Sequence, residues 1–153
     1  MEVHILTIDN VDMLIKLEQA ARVSEPEIFI DDFDARKCRA GTEAALKNPL
    51  YASARCMICV NEEGQAVGRV DFTIVPSFSF GGTLEVYVAW VYVLKEFRHQ
   101  GVAQLLFSQM EAYIKEMGIG EYFLLMAENA EAQSFYRNIK GAEIKKYDVL
   151  RVG

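Results

Sequence analysis

At the start of the chain, hydrophobic residues follow two different spacings. The first is typical of a strand and the second of a helix. Alternation over Val3 to Thr7 predicts a short first strand. Apolar residues three and four positions apart then predict a helix that Asp9 or Asn10 caps and that ends near Arg22. The next stretch, Ser24 to Phe33, contains a proline and a group of acidic residues. It is predicted to be a loop or a frayed helix end.

The pattern then changes from a helical period to alternation. A second helix is predicted from Asp34 to Lys47, where an Asn-Pro pair ends it. Two strands follow, Ser53 to Asn61 and Ala66 to Val75. Between them, Glu62 to Gln65 includes a glycine and predicts a hairpin turn. This part of the chain therefore predicts a helix followed by an antiparallel pair of strands.

The second half alternates strands with helices. Thr83 to Leu94 is apolar on both faces, which predicts a central strand covered on both sides. A helix over 102 to 117 and a strand from Tyr122 to Met126 follow, and this order predicts a right-handed crossover between parallel strands. A short helix, Ala130 to Asn138, and one or two closing strands within Ala142 to Val152 complete the prediction.

The composition narrows the classes of protein that these elements can build. A length of 153 residues, 52% of them hydrophobic, predicts one domain over 1–153 with a substantial core. The formal charge of −6 argues against a nucleic-acid binder, which needs a basic face. The start of the chain lacks the basic and apolar blocks of a signal peptide, and no apolar run approaches the ~20 residues that cross a bilayer. We expect a cytoplasmic protein with neither nucleic acid nor membrane as a partner.

Two of the three cysteines have the spacing of a metal or redox pair. Cys56 and Cys59 lie in a predicted strand, however, where residues three apart face opposite sides of the sheet. Thiolates that hold a metal must converge on one point, and no second cysteine pair is present. The sequence therefore favours two cysteines in a buried strand, no metal, and a reducing environment.

The turn after the long apolar strand has an unusual composition. Phe97 to Ala103, FRHQGVA, leads into a strongly patterned helix without an acidic cap. A helix start exposes unpaired N–H groups and the positive end of a dipole, and a preceding glycine lets them converge on an anion such as a phosphate. Gly101 and Arg98 fit that use. An ordinary strand-to-helix turn with a glycine explains the same residues equally well.

The same segment resembles a known family. YVLKEFRHQGVAQLLF, Tyr92 to Phe107, is similar to the coenzyme A pyrophosphate loop of the GNAT N-acetyltransferases, whose motif is Q/R-x-x-G-x-G/A. Arg98, Gly101 and Ala103 match that motif, and His99 stands where a glycine is common. A second stretch, Asn129 to Ala142, is similar to the family's N-x-x-A-x-x-F/L-Y-x-x-x-G-F motif, although its glycine is displaced and Ala142 replaces the usual aromatic residue. The order of predicted elements follows the family plan over essentially the whole chain.

The resemblance implies a fold, a co-substrate and a set of residues. The fold would be a mixed α/β (α+β) domain with a mainly antiparallel central sheet, flanked by helices and splayed at the coenzyme A site. Acetyl-CoA would donate to a primary amine of a small molecule or peptide by direct attack in a ternary complex. Tyr136 would protonate the departing thiolate and contact the coenzyme; alternatively, it is a core residue of the short helix, four positions from Ala132. The other implied coenzyme contacts are Val91, Tyr92, Val93, Arg98, His99, Gln100, Gly101, Val102, Ala103 and Asn129.

The base and the acceptor site are predicted less directly. Glu85, early on the apolar strand, is the best-placed carboxylate, and burial there would raise its pKa. The alternative is that Glu85 is a solvated carboxylate at the edge and water serves as the base. Asp31 and Asp32, in an acidic stretch without a basic residue, would suit a cationic acceptor, or they form a solvated face. Phe78 and Phe80 would either wall the same cleft or form a homodimer contact.

The sequence leaves one alternative function open. A non-catalytic acyl-CoA-binding regulatory module could keep the pyrophosphate loop and lose the chemistry. The tyrosine at position 136 favours the enzyme, because such a module has no need of an acid next to the thioester.

Overall fold

The computed structural model describes residues 1–146 and 150–153, and its centre is one five-stranded sheet. The strands lie in sequence order across the sheet: β1 (Glu2–Ile5), β2 (Ala54–Val60), β3 (Ala66–Ser77), β4 (Thr83–Val93) and β5 (Tyr122–Leu124). The first four are antiparallel neighbours, whereas β5 runs parallel to β4. The predicted mixed, mainly antiparallel sheet is confirmed, and so is the parallel pair on either side of the long helix.

Four α-helices flank the sheet: α1 (Val11–Ser24), α2 (Ala35–Lys47), α3 (Val102–Glu116) and α4 (Ala130–Arg137). Asn10 is the N-cap of α1, but its side-chain oxygen accepts from the Thr7 N–H at 2.7 Å and closes a preceding 3₁₀ turn instead of capping the helix. Asp34 caps α2 by accepting from two backbone N–H groups. Both helix starts therefore lie where the sequence predicts them.

Apolar side chains form one core on each face of the sheet. On the first face, α3 packs Leu106, Phe107 and Met110 against β2, β3 and β4. On the second face, Leu14 and Leu17 of α1 cover the opposite side of β2. Because alternate residues of a strand point to opposite faces, each central strand contributes to both cores.

The two strand cysteines show this division. Cys56 lies with the α1 cluster and Cys59 is buried in the α3 cluster, so the prediction that they face opposite sides is confirmed. Burial raises the pKa of both thiols above the usual value. Within the described residues, no group of three or more His, Cys, Asp or Glu side chains is placed to hold a metal ion.

The prediction for β4 is half right. It is an interior strand between β3 and β5, as expected. It is not covered on both sides, because Leu84 is 47% exposed and Trp90 is 45% exposed. On the second face, α1 packs against β2 and β3 and its cluster reaches Tyr92 at the end of β4, whereas Trp90 of β4 and Phe123 of β5 are exposed.

The C-terminal prediction fails in part. β5 is three residues long, shorter than the predicted strand from Tyr122 to Met126. Residues 142–146 and 150–153 form no regular structure, so the predicted closing strands are wrong there. The remainder of that prediction falls on residues 147–149, which lie outside the described part. No described helix is long and apolar enough to span a bilayer.

Candidate active site

The sheet opens between β4 and β5. Parallel pairing joins Val86, Tyr87 and Val88 to β5 and is not continued beyond them in the described residues. At this point β4 contains a β-bulge, because Phe72 of β3 pairs with Val88 and Asp71 pairs with Trp90. The extra residue is Ala89. From there to Val93, β4 is bonded to β3 on one side and has no strand partner on the other within the described residues, although Arg98 Nε donates to the Val93 carbonyl.

The turn that follows β4 delivers an uncapped helix start. His99 and Gly101 have positive φ angles of 59° and 84°, and α3 begins at Val102. Gly101 is the N-cap, and neither a side-chain cap nor an acidic residue is present in the first turn. The first hydrogen bond of the helix runs from the Leu105 N–H to the Gly101 carbonyl at 2.9 Å. The three N–H groups before it, 102 to 104, are therefore available to an anion.

Arg98 is not a free cation. Its Nη2 donates to Glu25 Oε2 at 2.5 Å, and its Nε donates to the Val93 carbonyl at 3.1 Å. Tyr92 Oη donates to the same glutamate oxygen at 2.9 Å. Glu25 is 3% exposed and comes from the segment between α1 and α2. Arg98 was expected to add a positive charge to an anion site, but the buried carboxylate already matches that charge.

Burial and the Glu25 carboxylate together raise the pKa of Tyr92, so its phenol stays protonated. Glu25, Tyr92 and Arg98 form what we call the Glu25 network. It joins the α1–α2 segment to the end of β4 and to the turn before α3. Ser24 strengthens the same connection, since its hydroxyl donates to Glu96 Oε2 at 2.9 Å.

The other polar side chains of this turn also have protein partners. His99 Nε2 lies 2.9 Å from Glu131 Oε1 at the start of α4, and Gln100 Nε2 donates to the Glu96 carbonyl at 2.8 Å. An added Cβ at Gly101 would meet nothing within 4 Å. The space in front of the helix start is therefore open, and backbone N–H groups rather than side chains are the donors that face it.

Of the residues implied by the second motif, Tyr136 belongs to α4 and Asn129 is the N-cap that precedes it. The Tyr136 ring is half-buried against Phe107 and Phe135, with ring centroids at 6.3 and 5.5 Å. Burial raises the pKa of its phenol, and the described residues offer that phenol no hydrogen-bond partner. Asn129 Oδ1 accepts from the Ala132 N–H at 2.8 Å and caps α4, which leaves only its amide N–H groups for other contacts.

Glu85 is exposed, so the prediction of a buried carboxylate there is wrong. It pairs with Val75 across the β3–β4 ladder, four positions before the bulge at Ala89. The prediction rested on its apolar neighbours in sequence. Those neighbours lie alternately on the two faces, and the face that Glu85 shares is the open one.

Asp31 also has a partner that its neighbours in sequence do not suggest. Arg22 of α1 donates to both carboxylate oxygens of Asp31, at 2.7 and 3.1 Å, and to Glu18 at 2.6 Å. Its guanidinium lies over the rings of Phe29 and Phe33, with 4.2 Å to the second centroid. Hydrogen bonding to Arg22 lowers the pKa of the exposed Asp31 carboxylate. The acidic segment is thus organised around an arginine from the preceding helix.

A shallow cavity of about 560 Å³ opens beside this arginine. Asp32, which is exposed, lines it together with Asp31, Lys37 and Arg69. The lining therefore carries charges of both signs, and the acidic surface that the sequence predicts is only partly present.

Phe78 and Phe80 lie away from this segment. Both are fully exposed on the β3–β4 connection, where Phe80 has a positive φ of 53°. The acidic segment contacts the opposite end of β4, through Tyr92. The 11 residues of β4 span ~35 Å at about 3.3 Å per residue. The structure does not bring the two phenylalanines together with the acidic segment.

One charged residue near the opening is absent from the sequence predictions. Asp71 lies on β3 opposite Trp90, and its side chain is 29% exposed. Its Oδ1 atom is buried and accepts no hydrogen bond from the described residues, while Oδ2 lies 3.5 Å from Arg69 Nη2. The sequence could have indicated this residue, because Arg69 and Asp71 place two opposite charges at alternate positions of a central strand.

The comparisons with known proteins agree with this architecture. A ribosomal-protein-alanine N-acetyltransferase from Brucella melitensis biovar Abortus 2308 has 18% identity and a TM-score of 0.73 over 99% of this chain and 100% of that chain. An aminoglycoside acetyltransferase from an uncultured soil metagenomic sample, in complex with sisomicin, has 16% identity and a TM-score of 0.78 over 99% and 95%. An aminoglycoside N-acetyltransferase in complex with coenzyme A has 19% identity and a TM-score of 0.69 over 99% of each chain.

The sequence comparisons add the family. No curated protein matches the sequence significantly. The sequence profile described as "Acetyltransferase (GNAT) family" matches residues 16–141. That span includes the first motif, the second motif as far as Gly141, the β4–β5 opening and all of the helices from α2 to α4. Because the match covers well over half of the sequence, this chain belongs to the GNAT acetyltransferase family.

Proposed function

We propose that this protein transfers an acetyl group from acetyl-CoA to a primary amine of a small molecule or peptide, by direct attack in a ternary complex. The observation that carries the proposal is the uncapped start of α3, which follows directly on the β4 segment that has separated from β5. The helix start suits the diphosphate of coenzyme A and the strand edge suits its extended pantetheine arm, so the two features must lie side by side. The two aminoglycoside acetyltransferases and the ribosomal-protein-alanine N-acetyltransferase support an amine acceptor.

The residues fit a coenzyme A diphosphate. Space in front of Gly101 is open, and the N–H groups of Val102 and Ala103 are free of helix bonds. The edge of β4 from Val91 to Val93 has no strand partner in the described residues and suits the pantetheine arm as an added strand, except at the Val93 carbonyl, which accepts from Arg98. The Asn129 amide N–H groups are a further donor for that arm. Bound acetyl-CoA would supply the thioester carbonyl that the amine attacks.

Tyr136 is the proposed acid. Its phenol is protonated at neutral pH because burial raises its pKa, and no described residue competes for its proton. It would donate that proton to the departing sulfur. Glu85 was the predicted base, and its exposed position leaves bulk water an equal candidate. Arg98, His99 and Gln100 hold the turn in shape through their protein partners.

Asp32 and the partly compensated Asp31 would attract a cationic acceptor towards the α1–α2 side. Phe78 and Phe80 are proposed as a homodimer contact, since they are fully exposed far from the acidic segment. Three free cysteines support a cytoplasmic location. No step of this mechanism needs a metal.

The test combines binding with turnover. Calorimetry should detect coenzyme A binding, and incubation of the protein with acetyl-CoA and a panel of amines should yield N-acetyl products by mass spectrometry. Binding without any product across the panel would favour the alternative, a non-catalytic acyl-CoA-binding regulatory module. Failure to bind coenzyme A would overturn both.

A further inference from the structure

The second face of the sheet is open beside the β4 bulge. Residues opposite each other in neighbouring strands share a face, so Asp71 and Trp90 lie on one side, together with Tyr87 and its β5 neighbour Phe123. Tyr87 and Phe123 contact each other with ring centroids 5.3 Å apart. Trp90 is 45% exposed and Phe123 is 48% exposed. Three aromatic rings and one carboxylate therefore line a single accessible surface.

Asp71 lies next to the position where β4 loses its pairing with β5. Its cross-strand neighbour, Trp90, is the first residue after the extra Ala89. Paired strands are separated by only about 4.8 Å. The carboxylate is thus one strand away from the first free backbone groups of β4, which the proposed function assigns to the acyl end of the coenzyme.

The charge of Asp71 is matched only in part, by Arg69 and by the neighbouring Cys56 thiol. Arg69 makes its shorter contact, 2.8 Å, with Glu18, and its contact with Asp71 is 3.5 Å. The buried Oδ1 atom of Asp71 accepts no hydrogen bond within residues 1–146 and 150–153. A partly buried carboxylate in this state is stabilised by a further cation or donor.

We propose that this face binds the acceptor amine, that Asp71 holds its ammonium group and accepts a proton from it, and that the acceptor carries an aromatic or similarly flat apolar group against Tyr87, Trp90 and Phe123. The proposal rests on the proposed acetyl transfer. Aromatic rings favour offset and edge-to-face contacts, and a tryptophan face also attracts an ammonium ion. An acceptor with several ammonium and hydroxyl groups has no flat apolar group of its own to pack against these rings.

The proton and bond changes balance. The ammonium gives one proton to the Asp71 carboxylate, which passes it to solvent. The neutral amine nitrogen then bonds to the thioester carbon, and the carbon–sulfur bond breaks. Sulfur leaves as a thiolate and takes a proton from Tyr136, whose phenol recovers one from the new nitrogen. The products are an N-substituted acetamide, coenzyme A and one proton released to solvent.

Asp71 should also set the acid limb of the pH profile. Burial raises the pKa of its carboxyl group and Glu18 adds to this, whereas Arg69 and the neighbouring Cys56 thiol oppose it. As the pH falls through this raised pKa, the carboxylate becomes protonated and cannot accept the ammonium proton. kcat/KM for the amine should therefore decline at a higher pH than an ordinary aspartate would give.

The experiment compares two amines and four variants of the full chain. Wild type should acetylate 2-phenylethylamine with a kcat/KM about tenfold or more above that for ethylamine, since the ring adds buried apolar area. Asp71→Asn should lower kcat/KM for both amines by roughly 10²-fold or more and remove the acid limb. Trp90→Ala should erase the preference for 2-phenylethylamine. Glu63→Gln, in the remote β2–β3 turn, is the unchanged control.

The outcomes separate this inference from the proposed function. Coenzyme A affinity and the thermal midpoint should be preserved in Asp71→Asn, because the substitution is isosteric and removes an incompletely paired charge. If wild type acetylates both amines equally, or if Glu85→Gln rather than Asp71→Asn removes the acid limb, this inference is overturned and acetyl transfer stands. If coenzyme A binds and neither amine nor a wider panel is acetylated, both are overturned.

Discussion

Replacing Glu25 by glutamine tests whether one buried carboxylate holds the coenzyme turn in place. The side chain is 3% exposed and accepts hydrogen bonds from Arg98 at 2.5 Å and from Tyr92 at 2.9 Å. Glutamine keeps the shape and an acceptor oxygen but removes the negative charge. Arg98 is three-quarters buried and then has no charge partner in the Glu25 network. Its other acidic contact, Glu131 Oε2, is 3.8 Å away.

The loss of stability follows from the two hydrogen bonds. Glutamine makes the Tyr92 bond a neutral one, which costs about 1 kcal/mol, because a bond to a charged group is worth about 1.5–3 kcal/mol and a neutral one about 0.5–1.5 kcal/mol. The Arg98 bond keeps its charged donor but loses the attraction between opposite charges, about 1 kcal/mol more, for a total of about 2 kcal/mol. Removing the side chain altogether, in Glu25→Ala, should cost about 3–5 kcal/mol, the range for breaking a buried ion pair. For a domain of this size each kcal/mol lowers Tm by about 2–4 °C, so Glu25→Gln should lower Tm by about 4–8 °C.

The assay pairs unfolding with calorimetry. Urea or thermal unfolding gives the stability, and titration with coenzyme A gives the affinity, which should fall by roughly tenfold, or about 1.4 kcal/mol, as the turn loosens. Glu27→Gln is the matched control, since Glu27 is exposed in the same segment. A double-mutant cycle of Glu25→Gln with Tyr92→Phe should show a coupling energy of about 0.5–3 kcal/mol.

The opposite results are equally clear. If Glu25→Gln has the Tm of Glu27→Gln, the carboxylate is not the partner that stabilises Arg98. If Tm falls while coenzyme A affinity stays the same, the Glu25 network supports the fold but does not shape the coenzyme turn.

Four further predictions concern the remaining parts of the site. Gly101→Glu should abolish coenzyme A binding measured by calorimetry, because a carboxylate enters the open space in front of α3 and a side chain is strained at a φ of 84°; unchanged affinity would refute the diphosphate assignment. Tyr136→Phe should lower kcat roughly 10²–10⁴-fold with acetyl-CoA affinity preserved, and a loss of only a few-fold would make the ring a packing residue. Asp32→Asn should raise the KM for the amine, and added salt should have the same effect on the wild type, because it screens exposed charges over about 8–10 Å. Asp31→Asn should instead make the segment between α1 and α2 more sensitive to protease, because the substitution releases Arg22.

The sequence predicted what depends on neighbouring residues. Alternation and helical spacing located the four helices and the first four strands, and the helix start at Val102 followed from one glycine and a missing cap. It could not predict the partners of Glu25, because Tyr92 and Arg98 lie 67 and 73 positions away in the chain. Such pairs depend on which strands become neighbours, and no local pattern contains that information.

The errors in the site have the same physical origin. Glu85 was expected to be buried because its sequence neighbours are apolar, but burial depends on which part of a face is covered, and the α1 cluster reaches β4 at Tyr92 while Glu85 is exposed. Asp31 appeared unpaired because Arg22 belongs to the preceding helix and reaches it only through the fold. Asp71 was overlooked because its position beside the opening depends on its pairing with Trp90 of the adjacent strand, which the sequence does not show.

The extra residue at Ala89 has a consequence for how this strand can vary. Val88 and Val91 both contact the α3 core although they are three positions apart, and an unbulged strand would send them to opposite sides. Removing Ala89 would leave Val88, Trp90 and Val91 on their present faces but make the β3–β4 ladder regular, so β4 would lose its bend at the opening, while the exchange of one small side chain for another would keep that bend. At this point in the chain the number of residues is therefore under stronger physical constraint than their identity.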